Sequence, residues 1–183
     1  MKQRFQTRRW VPFSVELVFA FFANPSNLPH LILPRWQARV EDARVVAPPP
    51  RPVAVDPAKR YRSVAAGVGS EILLSLCPVP WLPKRASWLA RITEFEWNDH
   101  FKDEQVRGPF ARFSHLHRIQ AEAREGIEGT LVQDQIELAL PYGVVGQLFA
   151  PQVEHRFEQL LAYREKRLPE ILAVAARQPL KRG

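Results

Sequence analysis

The stretch Phe101-Lys-Asp-Glu-Gln-Val-Arg-Gly-Pro-Phe-Ala-Arg-Phe-Ser-His-Leu-His-Arg-Ile119 reads as two strands joined by a turn. Gly108-Pro109 marks the turn, since proline has no N–H for a ladder. Side chains alternate across a strand, so Phe113, His115, His117 and Ile119 share one face. Phe and Ile make that face inward; Arg112, Ser114 and Arg118 point the other way. Phe101, Asp103, Gln105 and Arg107 share a face of the preceding strand by the same rule. Two histidines and a carboxylate thus project from otherwise apolar surfaces.

Further strand signals lie on both sides, at 68–77, 86–97 and 128–140. Asn98-Asp99 and Arg124-Glu125-Gly126 separate them, and such short connections permit only antiparallel neighbours. On the last strand Val132, Asp134, Ile136 and Leu138 share a face. Upstream, residues 3–11 form a strand stopped by Pro12. Ser14 is then an N-cap, Glu16 suits the first helical turn, and Phe13 and Val18 have hydrophobic-staple spacing. That helix ends near Asn24-Pro25, a short helical turn runs to about Leu31, and a strand covers 35–46. Residues 47–66, with Pro48, Pro49, Pro50, Pro52 and Pro57, form an extended loop with 47–58 lacking regular structure. Downstream, Phe149, Val153, Phe157, Leu160, Leu161, Leu168 and Leu172 recur at three- and four-residue spacings. They make one apolar stripe on a helix with Pro151 in its first turn and a kink or end at Pro169. The order is one strand, two short helices, six strands and a long helix: an α+β fold with a curved seven-stranded antiparallel sheet. We take residues 1–172 as one domain, with 47–66 an insertion and 173–183 a basic tail.

The 183 residues are 46% hydrophobic and 25% charged, the composition of a folded domain. Cys77 is the one cysteine, which excludes a disulfide framework and a zinc site of paired cysteines. No apolar run reaches the roughly 18 residues of a membrane span. The basic N-terminus before Leu17 to Phe22 imitates a signal peptide. Pro12, Ser14 and Glu16 break it and no small-x-small site follows, so a cytoplasmic protein is expected. The net charge of +7 equals the excess at the two ends, from Lys2, Arg4, Arg8, Arg9, Arg177, Lys181 and Arg182. The rest of the chain balances, so no nucleic-acid face is expected. Gly-rich phosphate loops and nucleophile elbows are absent.

Phe101 to Phe110, Phe113 to Ile119, and Gly129-Thr130 with Asp134 resemble the SRPBCC (START-like, Bet v 1-like) superfamily, in its bacterial ligand-binding and polyketide cyclase/dehydrase-like branch. Tyr163-Arg164 with Leu168 on the last helix is also similar, and the resemblance covers about residues 1–172. It implies a helix-grip fold enclosing a hydrophobic pocket for lipids, polyketides or other apolar molecules. The proline-rich 47–66 segment departs from the pattern.

The expected partner is therefore a hydrophobic small molecule, with no cofactor, no metal and no membrane span; the oligomeric state is left open. Expected pocket residues are Trp88, Ala90 and Ile92; Phe101, Asp103 and Gln105; Phe113, His115 and His117; Val132, Asp134 and Ile136; and Phe149, Val153 and Phe157. Trp36 and Trp81 are placed near the mouth, and Tyr142 at its rim or merely in a chain turn. For His115 and His117 three arrangements stay open: a satisfied polar cluster with Asp134 or Gln105, an acid–base group acting on a ligand, or a metal held with Asp134. The first two correspond to a carrier or sensor and to a cyclase- or dehydratase-like enzyme.

Overall fold

The computed structural model describes residues 2–52, 63–77 and 84–177. Strands β1 (Lys2–Val11), β2 (Arg39–Arg44), β3 (Glu71–Leu76), β4 (Ala86–Glu96), β5 (His100–Arg107), β6 (Arg112–Ala121) and β7 (Thr130–Ala139) form one antiparallel sheet. Helix α1 (Val15–Phe22) and two 3-10 turns, Pro25–Leu31 and Pro34–Trp36, follow β1; α2 (Gly143–Gln147) and α3 (Ala150–Arg177) close the chain. The strand order is β1-β7-β6-β5-β4-β3-β2, so the first strand pairs with the last and the rest is a meander. This is the helix-grip arrangement.

Local chemistry accounts for the elements. Ser14 Oγ accepts from Leu17 N at the start of α1, and Asn24 Oδ1 accepts from Ser26 N at the first 3-10 turn. The expected strand at 35–46 begins only at Arg39. Pro34 starts a 3-10 turn instead, and Gln37 leaves it with a left-handed φ of 47°. Pro169 does not end the terminal helix, which continues to Arg177. One lost backbone bond is outweighed because Leu168, Leu172 and Ala175, before and after it, are all buried.

Two apolar clusters flank the centre of the fold. In one, Phe19 of α1 is fully buried and meets Phe95, Trp97 and Phe101 at centroid distances of 5.4, 5.5 and 5.9 Å. Leu172 of α3, Ile119 of β6 and Val132 of β7 join it. In the other, Phe157, Leu160 and Leu161 of α3 pack toward Phe113, Ile136 and Leu138 of the sheet. No helix among the described residues is long and apolar enough to cross a membrane.

Residues 47–52 carry neither helix nor strand, as their prolines dictate, while 53–58 lie outside the described residues. Trp97 Nε1 nevertheless donates to Pro49 O at 2.7 Å, and the Arg51 guanidinium lies 4.4 Å from that indole ring. Gly67 holds the returning chain against the same segment: a Cβ there would stand 2.5 Å from Pro48 Cα and 2.7 Å from Pro48 N. Backbone cannot swing aside like a side chain. Gly67→Ala is therefore expected to lower stability by about 1–3 kcal/mol. A denaturant midpoint equal to that of the wild type would contradict this close approach.

Candidate functional site

A cavity of about 540 Å³ lies between the inner face of the sheet, α3 and the 3-10 turns. That is the size of a small-molecule site. Its aromatic wall interlocks. Trp88 meets Phe113 edge-on at 4.4 Å and Phe110 at 5.5 Å, while Phe157 lies 5.9 Å from Phe110 and is itself stacked on Phe5 at 5.0 Å.

Of the residues expected at the pocket, Trp88, Ala90 and Ile92 of β4 line it, as do Phe101 and Asp103 of β5. Phe113, His115, His117 and Ile136 line it from β6 and β7, as do Phe149, just before α3, and Val153 and Phe157 in its first turns. Three do not. Gln105 turns back on the β5–β6 connection, its Nε2 donating to Phe110 O at 2.7 Å and its Oε1 accepting from Phe110 N at 3.3 Å. The turn needs those bonds because Pro109 supplies no donor. Val132 lies in the apolar cluster of α1 and the end of α3, beyond the cavity. Asp134 sits behind the histidines rather than on the wall. Trp36 lines the cavity and is buried, Tyr142 lines its edge and is 84% exposed with φ 62°, and Trp81 lies outside the described residues.

The polar end of the cavity is a network of five side chains from four elements. Cross-strand register places Asp103 opposite His115 and His117 opposite Asp134. His115 Nε2 is 3.0 Å from Asp134 Oδ1. His117 Nδ1 is 2.7 Å from the same oxygen, close enough for charge contact but out of line for a hydrogen bond. On the cavity side, Asp103 Oδ1 is 3.6 Å from His117 Nε2 and 4.0 Å from His115 Nδ1. The two imidazole centroids are 3.7 Å apart. From α3, Arg164 Nη1 donates toward Asp134 Oδ2 at 3.5 Å and Nε to Leu31 O at 3.0 Å. His115, His117, Asp134 and Arg164 are all buried.

Burial and position separate the protonation states. Burial, reinforced by the charge on His117, lowers His115 to about 4. Burial also opposes charge on His117, but Asp134 and Asp103 outweigh it and raise that imidazole above its ordinary 6.5. Burial would push Asp134 up, yet His117, Arg164 and the His115 hydrogen bond hold it well below the usual 3.8. An ionised carboxylate only accepts, so the neutral His115 donates from Nε2 and keeps a lone pair on Nδ1 toward the cavity. The pair therefore offers one base and one acid side by side.

Arg164 is the member that strand alternation could not reach. On the helix it is one more basic residue, close in sequence to Arg167 and Lys166, and only its resemblance to the family pattern singled it out. Phe110 and Phe22 also line the cavity; the turn beside Gly108 and the end of α1 gave no alternation by which to place them.

These protonation states have measurable signs. His117 is raised, so its stabilising effect is complete below pH 6.5 and fades as pH rises through its folded value. His115 is depressed, so it disfavours the fold as pH falls from 6.5 toward 4. Imidazole nitrogen spectra at pH 6 are expected to show His115 neutral and His117 protonated; a common titration of both near pH 6.5 would contradict the network. Asp134→Asn removes the anion, lowers the His117 pKa and destabilises the fold by about 3–5 kcal/mol.

The sequence matches no protein-family model and no curated protein. Solved structures do share its fold. The Zhui aromatase/cyclase of Streptomyces is similar with a TM-score of 0.64 at 12% identity, covering 100% of this chain and 99% of its own. A protein of Thermus thermophilus gives 0.60 at 18% identity, with 95% and 99% covered. Norcoclaurine synthase of Thalictrum flavum, in complex with dopamine and hydroxybenzaldehyde, gives 0.57 at 12% identity, with 99% and 90% covered. These agree with the fold expected from residues 101–119: the chain shares the helix-grip fold of those structures.

Proposed function

We propose that the protein binds a hydrophobic small molecule, of lipid or polyketide type, in the cavity between sheet and α3, as a carrier or sensor. The observation that carries this is the cavity itself, about 540 Å³ with apolar and aromatic walls and one charged end. Apolar surface supplies affinity, while a few polar groups fix orientation. Two further groups indicate oxygen on the ligand. Trp36 and Trp88 line the cavity, and their buried indole N–H groups have no hydrogen-bond partner among the described residues. A ligand carbonyl or ether is the natural acceptor, because a buried donor left unpaired costs about 1–3 kcal/mol. We place this carrier in the cytoplasm, with no nucleic acid as partner.

One observation favours a second reading, a cyclase- or dehydratase-like enzyme. His115, neutral with a cavity-facing lone pair, adjoins a more basic His117 that lies near Asp103. A neighbouring base and acid of that kind can abstract and return a proton at one reacting centre. Two of the structures sharing the fold are a synthase and an aromatase/cyclase, so the scaffold accommodates catalysis.

Titration with an environment-sensitive apolar dye, displaced by a fatty acyl competitor, tests the carrier reading. Saturable micromolar binding is expected, about −8 kcal/mol. Trp88→Ala and Phe113→Ala should each weaken it about fivefold or more, as wall contact worth about 25 cal/mol per Å² is lost. His115→Ala should leave the alkyl probe nearly unaffected, since nothing on the probe engages an imidazole. Circular dichroism checks that each variant folds. No saturable binding to the wild type would overturn the proposal.

A further inference from the structure

We infer that Asp103, His115 and His117 form a site for one divalent transition-metal ion, open toward the cavity. Sequence patterning suggested Asp134 as the carboxylate of any such site, and no metal was expected. The geometry assigns the carboxylates differently. Asp134 Oδ1 already accepts from His115 Nε2 at 3.0 Å and lies 2.7 Å from His117 Nδ1. It therefore engages the outer nitrogen of both rings. The nitrogens that remain, His115 Nδ1 and His117 Nε2, turn toward Asp103 Oδ1, and one ligand atom from each of the three residues lies within 4.8 Å of the others.

That is how a metal-binding imidazole is normally supported: one ring nitrogen ligates while the other is held by a carboxylate. Here one buried aspartate hydrogen-bonds the His115 ring and stands in charge contact with the His117 ring, and Arg164 holds that aspartate from behind. Bound tetrahedrally to zinc at about 2.0–2.1 Å, ligand atoms stand about 3.3–3.4 Å apart. The distances of 3.6 and 4.0 Å from Asp103 to the two imidazoles are within a small side-chain rotation of that spacing. Asp103 is the least buried of the three and lines the cavity, so it is the one free to close. Two imidazoles and one carboxylate suit zinc, cobalt or ferrous iron. The remaining coordination positions face the apolar space, where they would take water or an oxygen of a bound molecule.

A second trio, Glu96, Asp99 and His100, is more exposed, and Asp99 is already bonded to His100 and Gln120. It serves as the control.

The test uses tag-free, chelator-treated full-length protein, with Zn²⁺ by calorimetry and Co²⁺ by its visible absorption. One equivalent is expected to bind at micromolar affinity or tighter, with a Co²⁺ band of low symmetry. Asp103→Asn and His115→Gln should each lower Zn²⁺ affinity at least 30-fold, Asp134→Asn about 10–100-fold, and His100→Ala not at all. Asp103→Asn is the decisive variant, because Asp103 is not part of the buried packing and its loss leaves Asp134 and Arg164 paired. Failure of the wild type to take up one equivalent, uptake undiminished in Asp103→Asn, or uptake abolished in His100→Ala overturns the inference. Apolar dye binding is measured on the same samples without metal, so either result can fail alone.

Discussion

Arg164 reaches from the middle of α3 into the interior, where its Nε bonds Leu31 O and its Nη1 approaches Asp134. The terminal helix, the 3-10 turn after α1 and strand β7 are thereby tied at one buried point. A guanidinium taken out of water costs several kcal/mol unless a counter-charge meets it, so an acid on β7 is required there. Asp134 in turn is buried and has a second oxygen to satisfy, which the histidines of β6 supply. Their inner nitrogens then face Asp103 across the sheet. Each charged group is the reason for the next, and the chain of reasons ends at the cavity wall.

The same constraint explains why the space is left unfilled. Apolar side chains closing over Asp103 and the histidine pair would strand charge in a dry core. The aromatic residues instead brace one another around the rim of the space, Trp88 on Phe113 and Phe110, Phe157 on Phe5. A ligand burying about 300 Å² of apolar surface there gains about 7 kcal/mol, much of it offset by lost freedom on binding. Walls of this type give affinity with little selectivity. Selectivity falls to the charged end and to the indole N–H groups of Trp36 and Trp88.

Much of this was legible in the sequence where a simple period governs. Alternation along 113–119 placed Phe113, His115, His117 and Ile119 together, and all four are buried on the inner face. The apolar stripe of the last helix and the Ser14 cap were equally plain. Gln105 kept its face by period but lost the cavity, because the turn at Gly108-Pro109 needed its amide. Val132 has the inward parity yet lies past the end of the space, a matter of distance along the strand that alternation does not encode. Arg164 was hidden because a basic residue on an amphipathic helix ordinarily faces water; only the acid waiting on a distant strand reverses that. Pro169 suggested a kink or an end, and tertiary burial of Leu172 and Ala175 carries the helix past it.

The central claim is that a molecule with an apolar body and an oxygen-bearing end occupies the cavity. Native mass spectrometry of the gently purified protein, followed by extraction and identification of what it carries, tests that claim most directly. A stoichiometric adduct of small-molecule mass is expected, released on unfolding and lost in a protein with Phe113 and Trp88 both replaced by alanine. Bare protein that also takes up nothing from a mixed pool of lipids and aromatic polyketides would contradict it.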